Sequence, residues 1–137
     1  MPRFSDLSFS RLSTCDIELQ TLFFEVVKHF DCTILEGHRN EEDQNKAFET
    51  AHSKVKWPHG KHNAMPSLAV DVAPYPIPDW KDLKCFYWFA GYVLGTAEQL
   101  KAQGKMTKSI RFGGDWNSDM NINEKGLKDL VHFEVIS

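Results

Sequence analysis

Two short runs of strict alternation constrain this chain more than any other feature. Residues 68–73 read Leu-Ala-Val-Asp-Val-Ala, and residues 131–135 read Val-His-Phe-Glu-Val. Successive side chains on a strand point to opposite faces, so Leu68, Val70 and Val72 share one face of the first strand. Val131, Phe133 and Val135 do the same in the second. The opposite faces carry Ala69, Asp71 and Ala73, and then His132 and Glu134, and are expected to be open and polar. Residues 32–35, stopped by Gly37, and residues 110–112 add two further short β-prone runs.

Helical periodicity accounts for much of the rest. Leu19, Leu22, Phe23, Val26, Val27 and Phe30 follow an i, i+3, i+4 pattern behind a cap at Ser13 or Thr14, and Asn40 caps a more polar helix over residues 41–52. Pro74, Pro76 and Pro78 forbid a longer strand, and Asp79 is read as the cap of a long helix through Trp80, Phe86, Phe89, Val93 and Leu100. Aromatics at helical spacing read as core, whereas Trp57 and Trp116 lie in loops and read as walls of a cleft. Strands and helices are not strictly interleaved. The expected class is therefore α+β, a small, mainly antiparallel sheet with helices packed on one face.

A chain of 137 residues, 42% of them hydrophobic, can bury a core of its own, and one domain over residues 1–137 is expected. Net charge is -3, with no dense run of Lys or Arg, which argues against a nucleic-acid partner. Neither a membrane span nor the apolar stretch of a signal peptide is present, so a protein that starts in the cytoplasm without stable membrane association is expected. Cys15, Cys32 and Cys85 are odd in number, form no CxxC and sit among apolar residues; they read as reduced.

Asp71 and His132 each stand on a strand face with small or polar neighbours, and His62 lies in the loop over residues 53–66 that feeds the first strand. Two imidazoles and a carboxylate suit catalytic zinc, which takes three protein ligands and leaves the fourth position to a water with its pKa lowered to about 7. Spacing alone leaves a second reading open, that of solvated strand edges. Peptide hydrolysis also needs a base, and Asp129, three residues before His132, is the local candidate.

The ordered set Gly37-His38-Arg39 with Gln44, His62, residues 69–75 (Ala-Val-Asp-Val-Ala-Pro-Tyr), residues 112–116 (Phe-Gly-Gly-Asp-Trp) and residues 129–134 (Asp-Leu-Val-His-Phe-Glu) resembles the zinc D-Ala-D-Ala carboxypeptidase-like family. That family includes vancomycin-resistance dipeptidases and, nearest to this pattern, phage endolysins that cut the L-alanyl-D-glutamate bond of peptidoglycan. The resemblance implies a fold like that of DD-peptidases and the Hedgehog domain. It further implies His62, Asp71 and His132 as zinc ligands, Asp129 as general base and Arg39 as the group that stabilises the oxyanion or binds a substrate carbonyl or carboxylate. Gln44 becomes a supporting hydrogen-bonder, grouped with Glu134 and Trp116 as substrate contacts. This chain departs from the pattern in carrying Gly60 where Ser is common, and in a longer interval between His62 and Asp71, with His59 as the fallback ligand.

The expected function is a zinc endolysin acting on peptidoglycan stem peptides as a monomer, held in the host cytoplasm until the membrane is permeabilised. The alternatives are a D-Ala-D-Ala carboxypeptidase or dipeptidase, and a non-catalytic zinc-binding module of the wall. The run Asp115, Asn117, Asp119, Asn121, Asn123 places oxygen-bearing side chains at every second residue, like the start of a calcium loop, with Glu124 as a closing ligand. A second, Ca2+ cofactor is the corresponding expectation, against the plainer reading of a solvated loop.

Overall fold

The computed structural model describes residues 2–122 and 128–136. The amphipathic helix is α2 (Ile17–Val27), capped by Asp16, whose side chain accepts from the Glu18 amide, and not by Ser13 or Thr14. The cause is a helix that periodicity did not reveal: α1 (Asp6–Leu12) ends on Ser13, so both hydroxyl residues are spent in the intervening turn. Phe30 lies beyond α2 and packs edge-on against Phe89, ring centres 5.0 Å apart. Asn40 caps α3 (Glu41–Glu49) by accepting from the Asp43 amide, but this helix stops short of His52. Asp79 closes only a local turn onto the Lys81 amide, and α4 (Leu83–Ala102) starts after Asp82. Trp80 is therefore outside the helix, stacked on Phe86 and largely exposed.

Four strands, β1 (Cys32–Glu36), β2 (Ala69–Pro74), β3 (Ser109–Phe112) and β4 (His132–Ile136), form one antiparallel sheet in the order β1-β2-β4-β3. Val70, Val72, Phe133 and Val135 point from its two central strands into a core completed by Leu19, Leu22, Phe23 and Val26 of α2 and Phe89 and Val93 of α4. Fully burying one such side chain contributes about 1.5–3 kcal/mol, which makes this apolar face the main fixative of the sheet. The other face of β2 is not the open surface expected: Ala69 and Ala73 are fully buried. The turn at Cys15 lies beside the start of the strand, bridged to Ser67 and with the Cys15 thiol directed at the Ala69 carbonyl, while Ala73 pairs with Thr33 of β1. Only Asp71 on that face keeps partial access.

All three cysteines are free thiols, and burial pushes Cys15 and Cys32 up to about 12, which leaves them protonated and inert. Among the described residues no helix is long and apolar enough to cross a membrane.

Glu18 joins α2 to the segment after α4. It is buried, and its Oε1 accepts from the Thr107 amide, the Thr107 hydroxyl and the Lys108 amide, each at 2.8 Å. Burial works to raise its pKa, but the three hydrogen bonds outweigh it and hold the group below its ordinary 4.5. A depressed folded-state pKa stabilises above the unfolded value and is lost as pH falls through the folded one. Glu18→Gln should therefore cost about 1–2 kcal/mol in urea unfolding at pH 7, a deficit that shrinks steadily below pH 4.5. A pH-independent deficit would show that packing, not charge, is what Glu18 supplies.

Candidate active site

The register of β2 against β4 sets Asp71 opposite His132, and both side chains leave the sheet on the side away from α2 and α4. His62 comes to them from a 3₁₀ turn, Lys61–Asn63, tied down by its carbonyl accepting from the Arg39 amide at 2.8 Å. The three residues that the family resemblance singled out are brought together, with one potential ligand atom from each within 4.8 Å of the others. His62 Nε2 stands 3.3 Å and His132 Nδ1 3.4 Å from Asp71 Oδ1. His62 Nε2 and Asp71 Oδ1 are buried without a hydrogen-bond partner among the described residues. Orphaned polar atoms of this kind cost stability unless something else binds them.

The far nitrogen of each imidazole is committed. His62 Nδ1 lies 2.8 Å from the Gly37 carbonyl, and His132 Nε2 lies 2.8 Å from Glu134 Oε1. With those sides engaged, the nitrogen that each ring turns toward Asp71 is the one left for a metal ion. Glu134 is held in turn by Arg111, its partner across β3 and β4, at 2.7 Å. Burial alone would raise the Asp71 pKa, but the imidazoles of His132 and His62 keep its carboxyl well below the usual carboxylate range. Burial opposes a charge on His132, yet Asp71 and Glu134 together lift its pKa to about 9. Glu134 is brought down to about 2 against its own burial by His132 and Arg111. These donors form a cluster of two imidazoles and a carboxylate, the ligand chemistry of a nitrogen- and oxygen-binding divalent metal, whose identity they do not fix.

A cleft of about 310 Å³ opens on this cluster, walled by Arg39, Trp116, Asp129 and Glu134 among others. Trp116 packs 5.3 Å from the His132 ring, while Trp57 is absent from the wall. Burial and the nearby charge of Asp71 raise the pKa of Asp129, against a smaller opposing effect of His132. His59 lines the cleft without joining the triad.

Three residues singled out from the sequence are held by neighbours that the sequence did not reveal. Arg39 is not a bare guanidinium facing substrate: Glu36 accepts from its Nε and one terminal nitrogen, at 2.8 Å each, and Gln44 accepts from the other at 2.9 Å. Gln44 lines the cleft as a supporting hydrogen-bonder, with Arg39 and Asn63 on its oxygen and Ser53 and the Val55 carbonyl on its nitrogen. Glu134, likewise, is taken up by His132 and Arg111. Glu36, Asn63 and Arg111 were missed. An i, i+3 Glu–Arg spacing and a cross-strand Arg–Glu register were the signals that could have found the first and last.

The run from Asp115 bends on itself. Asp115 accepts from the amides of Asp119 and Met120, at 3.3 and 2.9 Å, and Asp119 accepts from the Asn121 amide at 2.8 Å, while Asn117 accepts from the Asp119 amide and donates to its carboxylate. Asn123 and Glu124 fall outside the described residues. Among the described residues, the triad is the cluster of three or more acidic, His or Cys ligands able to hold a metal.

Asp129 is positioned through Gly113, whose carbonyl accepts from the Asp129 amide and whose amide donates to the His132 carbonyl, both at 2.9 Å. A Cβ at Gly113 would fall 2.1 Å from the Asp129 carbonyl oxygen. Gly113→Ala should therefore push Asp129 outward, lowering turnover about tenfold or more at a stability cost of about 1–3 kcal/mol. Turnover and thermal melting on the same sample check this, and full activity would mean the backbone yields elsewhere.

A sheet whose polar face gathers three convergent donors, with a carboxylate and an arginine around the opening, is the architecture of a metal-capable hydrolase. The crystal structure of the Serratia marcescens L-Ala D-Glu endopeptidase ChiX shares the fold, with a TM-score of 0.73 and 18% identity over 98% of this chain and 91% of that one. A search of curated proteins finds no match. The family model for phage L-alanyl-D-glutamate peptidase matches residues 1–136, so the chain belongs to that family and is a peptidoglycan peptidase.

Proposed function

We propose that residues 1–137 act as a single zinc endopeptidase domain, monomeric, that hydrolyses the L-alanyl-D-glutamate bond of peptidoglycan stem peptides. The observation that carries this reading is the pair of buried, unpartnered atoms, His62 Nε2 and Asp71 Oδ1, facing His132. Two nitrogens and one oxygen suit zinc, whereas calcium and magnesium favour oxygen ligands throughout. Bound by His62, Asp71 and His132, zinc would supply a nucleophilic water at neutral pH and polarise the scissile carbonyl.

The chain's own groups supply the rest. Asp129, its pKa raised toward the working range, accepts the proton of the attacking water and returns it to the leaving amine. Arg39 has five N–H donors, of which three are used, and the remaining two serve the substrate carbonyl and the oxyanion that develops from it. Gln44 and Glu36 hold that fork still. Glu134, braced by Arg111, fixes the tautomer and tilt of His132. Trp116 forms a wall for the bound peptide.

Membership of a phage family supports a lysis role, in which the enzyme waits in the host cytoplasm until the membrane is breached. For the run from Asp115 we favour a self-capped turn over a calcium loop, since its carboxylates already serve backbone amides. Mass spectrometry of the products from purified peptidoglycan tests the whole reading. New N-terminal D-glutamate, lost on chelation, is expected. Release of terminal D-alanine would favour a carboxypeptidase, and chelator-resistant cleavage would remove the metal from the account.

A further inference from the structure

We propose that the Lys54 and His59 side of the cleft binds the free carboxylate of the substrate's D-glutamyl residue, so that Lys54 selects glutamate over its amide next to the scissile bond. The inference rests on the L-alanyl-D-glutamate reading and deepens it. A glutamyl residue whose amine lies in the bond to be cut, and one of whose carboxyls continues the peptide, retains a second carboxyl. Unless amidated, that group puts a fixed negative charge on the leaving half of the substrate.

The cleft meets this charge unevenly. In its interior the carboxylates are already matched, Glu134 by Arg111 and His132 and Asp71 by the two imidazoles. Its exposed rim carries His52, Lys54, His59 and Lys61. Several of the cleft's cations and donors are already engaged. Arg39 is forked onto Glu36, Lys61 donates to the Val135 carbonyl at 3.3 Å and lies 3.9 Å from Glu134, and His52 bonds the Thr50 hydroxyl at 2.9 Å. Lys54 and His59 make no side-chain hydrogen bond or ion pair among the described residues. An uncompensated ammonium at the rim is therefore the group that orients an anionic peptide across the cleft. The leaving half faces residues 54–59, and the alanyl half is directed away from them. An ammonium is a flexible point charge and suits a carboxylate that must leave again after each turnover.

The test uses the metal-loaded full chain and two synthetic N-acyl-L-alanyl-D-glutamyl peptides, identical except that the free glutamyl carboxyl is a carboxylate in one and a carboxamide in the other. Wild type is expected to cleave the acid with a kcat/KM about tenfold above the amide. Lys54→Met should lower the acid's value about tenfold, mainly through KM, and leave the amide's within about twofold, while Lys54→Arg restores the preference. Rising ionic strength should erode the wild-type preference, since the charge lies at an exposed rim. Equal cleavage of both peptides by wild type, or a Lys54→Met loss shared equally by both, overturns the subsite and leaves the endopeptidase reading intact. Cleavage of neither peptide overturns both.

Discussion

His62→Ala and His132→Ala are expected to lose bound metal and activity together, each falling to below about a hundredth of wild type at fixed metal supply. The bound follows from the smaller case: removing a group that merely orients a ligand commonly costs about 10–100-fold in affinity or activity, and a direct donor counts for more. With three protein donors sharing one ion, loss of any one leaves two, too few for a site that needs its fourth position for water. Elemental analysis of the purified variants, alongside turnover on peptidoglycan, checks the result. His59→Ala is the internal control for metal content, because His59 lines the cleft but lies outside the triad. Full occupancy in His62→Ala would transfer the ligand role to His59.

Asp129→Asn separates chemistry from metal binding. The substitution keeps shape and removes the base, so turnover should fall about 10²- to 10⁴-fold while metal content and melting temperature stay near wild type. The pH profile sharpens the comparison. Asp129 titrates above its ordinary value, and activity that depends on its ionised form should decline as pH falls through that raised value. The acid limb of the profile should flatten in the variant. Wild-type turnover in Asp129→Asn would end its assignment as base. Glu134 would then be a poor substitute, since His132 and Arg111 hold both of its oxygens.

The strands, the three potential ligands and the carboxylate near them were legible because each is written in a short range. Alternation exposes which side chains share a face, and Asp71 and His132 sit at the polar phase of two alternating runs. The Arg39 surroundings were not legible in the same way. Which donors of a guanidinium are already taken depends on Glu36 at the end of β1, Gln44 on α3 and Asn63 in the 3₁₀ turn, and no periodicity brings these three together. The cap of α2 was misread for a related reason. Ser13, Thr14 and Asp16 are all competent caps, and only the preceding helix α1, too short to show a pattern, decides among them. Ala69 and Ala73 looked like part of an open face because small residues carry no sign of whether backbone or water covers them.

The central strands β2 and β4 are separated along the chain by all of α4 and β3. Bringing them together closes a long loop, whose entropy must be spent before any strand contact repays it. Asp71 and His132 thus meet only when that pairing is complete, and the donor cluster comes into being as a product of global folding. The converse holds for its loss. The bonds between β2 and β4 back onto the apolar core, so they do not open by local fraying at an edge but by a fluctuation that takes the core with them. Separation of Asp71 from His132 is then tied to global unfolding, whereas His62, held from the 3₁₀ turn, can leave the cluster without it.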